Sequence, residues 1–147
     1  ALKQQVIERG LSQRFVFTGA LPYAEMPGAL AAADICIAPF DPCKHPPSAG
    51  AGYQLDPLKL FEYLALQKPV VSIQAENIER LFRHEQDMLL VPPRDPGALN
   101  AALCRLAADP QLAKRLATSG EAKVRQNHTW ASHADHLVRL FEEMLGE

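Results

Sequence analysis

Four short apolar runs, separated by stretches of helical spacing, constrain this chain more than anything else in its sequence. Arg14-Phe15-Val16-Phe17-Thr18-Gly19, Ile35-Cys36-Ile37-Ala38-Pro39-Phe40, Pro69-Val70-Val71-Ser72-Ile73 and Met88-Leu89-Leu90-Val91 are each short enough to be a buried strand. Gly19, Pro39 and the pair Pro92-Pro93 stop three of them. Between the runs, Met26 to Ala33, Pro57 to Leu66 and the shorter Ile78 to Arg83 read as helices. From Asp95 the chain is helical to its end. Leu99, Ala102, Leu103 and Leu106 recur at helical spacing, then Leu112 to Val124, then Leu137, Leu140, Phe141, Met144 and Leu145. Asp95-Pro96, Asp109-Pro110 and Thr129-Trp130 each offer a capping oxygen just before a helix. Strands alternating with helices predict an α/β fold, a parallel sheet with helices on both faces and a helical C-terminal end.

A chain of 147 residues, 48% of them apolar, can bury one good core, so one domain is expected. A net charge of -2 gives no general attraction to nucleic acid or anionic lipid, which leaves a small partner held by a local site. Cys36, Cys43 and Cys104 are an odd number without a close pair, against both a disulfide framework and a zinc knuckle, and in keeping with a cytoplasmic location. No apolar run approaches the roughly 18 residues of a membrane span, and no signal-peptide pattern opens the chain. Residues 1–9 are already helical in pattern, with Gly10 as a stop, no initiator Met and no preceding strand, so the chain is expected to be a fragment of a longer protein.

Open parallel sheets bind ligands outside the carboxyl ends of their strands, which directs attention to Gly19–Pro22 and to the loop after Phe40. That loop, Asp41 to Leu55, carries three prolines and two glycines and is longer than most α/β connections. The helix it leads into begins with free backbone N–H groups and a partial positive charge. Lys59 in its first turn adds a full charge, and Glu62, one turn on from Leu58, can accept two hydrogen bonds from a diol. Spacing alone favours the plainer reading of Lys59 and Glu62 as solvated surface charges. Cys43-Lys44-His45 reads as loop rather than half a metal site, His133 and His136 as rim residues, Cys36 and Cys104 as small core residues, and Asp34 as a turn residue.

Pro57-Leu58-Lys59-Leu60-Phe61-Glu62-Tyr63-Leu64-Ala65 followed by Lys68-Pro69-Val70-Val71 resembles the PLKLFEYLA-x-x-KPVV signature of family 4 glycosyltransferases with the GT-B architecture. Flanking pieces agree in order: Val16-Phe17-Thr18-Gly19, Ala31-Ala32-Ala33-Asp34-Ile35 with Ala38-Pro39, Leu90-Val91-Pro92-Pro93 with Asp95-Pro96, and His128-Thr129-Trp130. The resemblance covers nearly the whole chain. It implies that residues 1–147 are the Rossmann-like C-terminal half of a GT-B fold, binding a nucleotide-diphosphate sugar such as a UDP or GDP hexose, with the N-terminal acceptor domain and first strand lying elsewhere in the protein. It implies transfer with retention, no cofactor and no metal, and leaves peripheral membrane association of the full-length enzyme open. By the same resemblance Glu62 meets the ribose hydroxyls, Lys59 with the Leu58 and Lys59 amides faces the diphosphate, and Leu21 borders the base.

Three positions depart from the family pattern. Gln54 stands eight positions before Glu62, where the family has the acidic residue that contacts the donor sugar. Ser48-Ala49-Gly50-Ala51-Gly52-Tyr53 replaces a GFG-like turn, where the resemblance implies that Tyr53 is a donor-binding residue, and Asp56 stands where serine is frequent, both residue types being able to cap the helix. Two other readings stand beside this one: a nucleotide-sugar epimerase, which shares the two-domain architecture but needs acidic and histidine catalysts that the loops do not offer, and a non-catalytic, degenerate module kept open by Gln54 and the altered glycine loop.

Overall fold

Val70, Val71 and Ile73 are β-branched residues flanked by strands on both sides, and among the described residues they form the middle of a three-stranded parallel sheet. The computed structural model describes residues 2–41 and 57–146. Strand β1 (Cys36–Ala38) pairs with β2 (Val70–Ile73), and β2 pairs with β3 (Leu89–Val91), with Ile37 opposite Val71 and Val71 opposite Leu89. The remaining elements are the helices α1 (Leu2–Glu8), α2 (Met26–Ala31), α3 (Leu58–Ala65), α4 (Glu76–Leu81), α5 (Pro96–Ala108), α6 (Pro110–Asn127) and α7 (Trp130–Leu145), with 3-10 turns at Ser12–Arg14 and Tyr23–Glu25.

Alternation along the strands divides the core in two, except that Ile73, at the end of β2, packs with the cluster of Val70 although it stands opposite Val91. Val70, Ile73, Leu90, Cys36 and Ala38 pack with Leu60 and Leu64 of α3, Ile78 of α4, Phe82 and Val124. Val71, Leu89 and Val91 point the other way, onto Ala102 and Leu106 of α5 and Leu112 and Leu116 of α6. Burial of a leucine as complete as that of Leu60, Leu64 or Leu116 contributes about 2 kcal/mol. Helices therefore cover both faces of a parallel sheet, as the βα alternation predicts.

The expected caps close. Asp95 Oδ1 accepts from the Ala98 amide at 2.8 Å, and Asp109 Oδ1 from the Leu112 amide at 2.9 Å. At α7, Thr129 Oγ1 accepts from the Ser132 amide at 3.1 Å while Ser132 Oγ accepts from the Thr129 amide at 3.0 Å, a reciprocal capping box. Gly10, with φ of 65°, takes the left-handed conformation that ends α1.

Three expectations are corrected. Arg14–Gly19 is not a strand: Arg14 closes a 3-10 turn, and Phe15, Val16 and Phe17 follow with no ladder pairing and relative exposures of 47%, 89% and 43%. A strand needs a neighbour for its backbone groups, and among the described residues β1 pairs only with β2. The two phenylalanine rings cover each other instead, with centroids 6.2 Å apart. The short helix expected at Ile78–Arg83 lies earlier, at Glu76–Leu81, because Phe82 turns inward to the core and Arg83 opens the turn to β3. Cys104 is exposed rather than buried, since the inner stripe of α5 runs through Ala102 and Leu106 and leaves Cys104 on the outer side; Cys36 is buried as expected.

Helix α6 is tied to the turn before β3 by a buried carboxylate. Asp87, 3% exposed, accepts from the Arg83 amide at 2.9 Å, Ser119 Oγ at 3.1 Å and Lys123 Nζ at 2.9 Å. Burial alone would push this carboxyl up, but the three donors and the Lys123 charge outweigh it and hold Asp87 below the usual carboxylate range. Beside it, α6 meets α3 at Gly120, where an added Cβ would lie 2.5 Å from Leu64 Cδ2 and 2.8 Å from the Asp87 carbonyl oxygen. The leucine tip could yield, but the backbone oxygen has no room to. Gly120→Ala is expected to lower stability by roughly 1–3 kcal/mol through overpacking, read from the midpoint of urea unfolding; an unchanged midpoint would show that the helices separate without cost.

Candidate functional site

Helix α3 follows the long loop, and among the described residues nothing caps its first turn. Pro57 is its N-cap residue, at φ -80° and ψ 61°, and gives no side-chain cap. The Leu60 amide reaches back to the Pro57 carbonyl at 2.8 Å, but the Leu58 and Lys59 amides precede the first intrahelical bond and point out of the helix end. With the aligned peptide dipoles, this end carries about half a positive charge.

Leu60 and Leu64 anchor α3 by their complete burial, which turns the opposite side outward. Leu58 is 67% exposed, and Lys59 and Glu62 are exposed with it. Leu58 and Glu62 stand one helical turn apart, and Lys59 and Glu62 are neighbours at i and i+3. Among the described residues, neither charged side chain is engaged in an ion pair or hydrogen bond, so both present their groups to solvent. An anion at the helix start would meet two amides and an ammonium, and a carboxylate one turn further on can accept from two adjacent hydroxyls.

The structure thus brings together three of the residues singled out from sequence, Leu58, Lys59 and Glu62. Leu21 is held on a separate segment, half-buried between Gly19, whose φ is 69°, and the 3-10 turn at Tyr23. Tyr53, Gln54, Asp56 and Cys43-Lys44-His45 lie outside the described residues. No group of three or more His, Cys, Asp or Glu side chains among the described residues could hold a metal ion.

Two features were not singled out from sequence. The first is a cavity of about 250 Å³ at the carboxyl ends of the strands, beside the start of α5, lined by Phe40, Val71, Ile73, Arg94 and Leu99 among others. At its mouth Arg94 binds Asp41 with both nitrogens, Nε to Oδ1 at 3.1 Å and Nη2 to Oδ2 at 3.3 Å. None of the α3 residues lines it. The loop after Phe40 signalled this place, but nothing in the sequence pairs positions 41 and 94.

The second is a cluster of rings behind α3. Phe61 lies 5.0 Å from His128 and 5.4 Å from Phe82, and Phe82 lies 6.1 Å from His128. Burial and then the nearby Lys123 ammonium hold His128 below the ordinary histidine value, so the ring is neutral at pH 7. On α3, burial and then the neighbouring Cys36 and Glu62 push the Tyr63 hydroxyl above its ordinary value. Lys68 Nζ donates to the Ala31 carbonyl at 2.6 Å, closing the end of α2.

Residues 1–109 match the family model described as Glycosyl transferases group 1, so this chain belongs to that glycosyltransferase family. A lipopolysaccharide core biosynthesis glycosyltransferase, LpsD of Rhizobium meliloti, is 30% identical over 141 residues, covering 96% of this chain and 37% of that protein. Sucrose-phosphate synthase from Thermosynechococcus elongatus superposes with a TM-score of 0.79 at 26% identity, over 99% of this chain and 34% of that one. Anabaena Alr3699/HepE, solved in complex with UDP, superposes with a TM-score of 0.79 at 21% identity, over 97% and 36% of the two chains. The fold is the Rossmann-like α/β half of the GT-B architecture. The chain spans about a third of the length of the relatives it matches.

Exposed side chains that hold nothing in the fold should be dispensable to it. Lys59→Ala and Glu62→Ala are each expected to change unfolding free energy by less than about 0.5 kcal/mol in urea titrations. A loss several times larger would mean that these charges serve the packing of α3.

Proposed function

We propose that this chain is the donor-binding domain of a retaining glycosyltransferase, and that α3 holds the nucleotide-diphosphate sugar. The observation that carries this reading is the exposed first turn of α3, where two outward amides, Lys59 and Glu62 stand together with no protein partner among the described residues. The diphosphate sits at the helix start against the Leu58 and Lys59 amides and Lys59 Nζ. Glu62 accepts from the two ribose hydroxyls, and Leu21 borders the base. The family resemblance alone assigns Tyr53 and Gln54, which lie outside the described residues, to donor binding, Gln54 as a neutral hydrogen-bonding group toward the sugar. The UDP in the Anabaena relative's structure supports a nucleoside diphosphate as the ligand class.

Chemically, the bond that breaks joins the anomeric carbon to the diphosphate, so negative charge develops on the leaving phosphate. Amides and an ammonium already aimed at that position stabilise the charge without reorganising, the electrostatic form of catalysis. No metal enters this account, because the helix end and Lys59 supply the positive charge.

The acceptor is bound by a second domain in the same protein, and this domain alone transfers no sugar. Two open surfaces support that division. One is the edge of β1 that faces away from β2, without a strand partner among the described residues. The other is α7, which buries no residue and exposes Trp130, Val138, Phe141, Met144 and Leu145. Among the described residues no helix is long and apolar enough to cross a membrane, and the donor chemistry proposed here uses a water-soluble nucleotide sugar of the cytoplasm.

Calorimetric titration of the chain with UDP, GDP and ADP tests the reading. One of the three is expected to bind with a Kd in the micromolar to millimolar range, and Glu62→Ala is expected to weaken it about tenfold or more, the cost of a lost charged hydrogen-bond acceptor. No binding by any of them at millimolar concentration, or equal binding by Glu62→Ala, would overturn it.

A further inference from the structure

Glu62 works only if α3 keeps its rotation about its own axis. A side-chain tip lies about 5–6 Å from a helix axis, so a 20° rotation carries a carboxylate about 2 Å, more than a hydrogen bond tolerates. Leu60 and Leu64 fix the inner face of α3 against the core, and the partly buried Phe61 and Tyr63 pack on the two flanks of that face, so the contacts of these flanks set how far the helix can rock about the line of the leucines. Phe61 and Tyr63 both adjoin Glu62, and Phe61 is the one whose flank is closed by other rings.

Phe61 is caught between two rings. Phe82 is 1% exposed and belongs to the core, so it cannot yield. His128 closes the other side at 5.0 Å with a tilt of 49°. His128 is itself fixed at a corner: its amide donates to the Val124 carbonyl at 2.9 Å to end α6, and Thr129 immediately begins α7. The three rings are mutually tilted at 49–57°, in the range that aromatic pairs favour.

We propose that His128 is a positioning residue for nucleotide binding: its ring wedges Phe61 against Phe82, sets the rotation of α3, and thereby places Glu62 and Lys59. The inference rests on the donor-site reading above.

Amide hydrogen exchange on the whole chain, with nucleotide titration beside it, tests the proposal. In His128→Ala the amides of α3 are expected to exchange about tenfold faster while those of β2 keep their protection, and affinity for the bound nucleoside diphosphate is expected to fall about tenfold. His128→Phe keeps a ring of similar size and is expected to restore both. Equal acceleration in α3 and β2, which a general loss of stability would produce, or no change in α3, would overturn the proposal. So would a His128→Ala protein with looser α3 and unchanged affinity. If the unsubstituted chain binds no nucleoside diphosphate, the donor-site reading itself fails, and the exchange result still decides whether His128 holds α3.

Discussion

The close approach of α6 to α3 at Gly120 is the contact on which the rest of this domain depends. A residue without a side chain lets α6 come within reach of Leu64 on α3 and of the backbone at Asp87 at once. That approach puts Val124 into the same core as Leu60 and Leu64, and it carries the end of α6 far enough to bring His128 onto Phe61. The Asp87–Lys123 pair then locks α6 in place from the side, with the carboxylate satisfied by three donors. A buried charge so fully bonded stabilises little over an apolar substitute, but it fixes where α6 must sit.

Everything exposed on α3 follows from this. Because its inner face is held by Leu60 and Leu64, α3 turns Leu58, Lys59 and Glu62 outward. The helix is only eight residues long and lacks a side-chain cap from Pro57, features that would weaken an isolated helix but suit one that receives an anion at its start. Stability is supplied from behind, and the side in front is the one proposed for recognition.

The sheet and helices were legible because their signals are local. β-branched runs gave β2, capping oxygens at Asp95, Asp109 and Thr129 marked three helix starts, and the family signature drew attention to Leu58, Lys59 and Glu62. Where expectation failed, the deciding partner was distant in sequence. Phe15-Val16-Phe17 has a strand's composition but no neighbouring strand among the described residues, and Cys104 lies one step off a helical stripe whose phase only packing reveals. The ring cluster joins positions 61, 82 and 128, and the Arg94–Asp41 pair spans 53 residues; no local pattern announces either. His128 was visible as part of a motif, yet its contact with Phe61 was not.

Two places could in principle take a nucleotide: the first turn of α3, and the cavity beside α5 at the carboxyl ends of the strands. They share no residue. Chemical-shift mapping of the isotopically labelled chain during titration with the nucleoside diphosphate that binds separates them. The account predicts that the largest shifts fall on the amides of Leu58, Lys59 and Glu62. Shifts centred on Arg94, Asp95 and Leu99, with α3 unmoved, would contradict it.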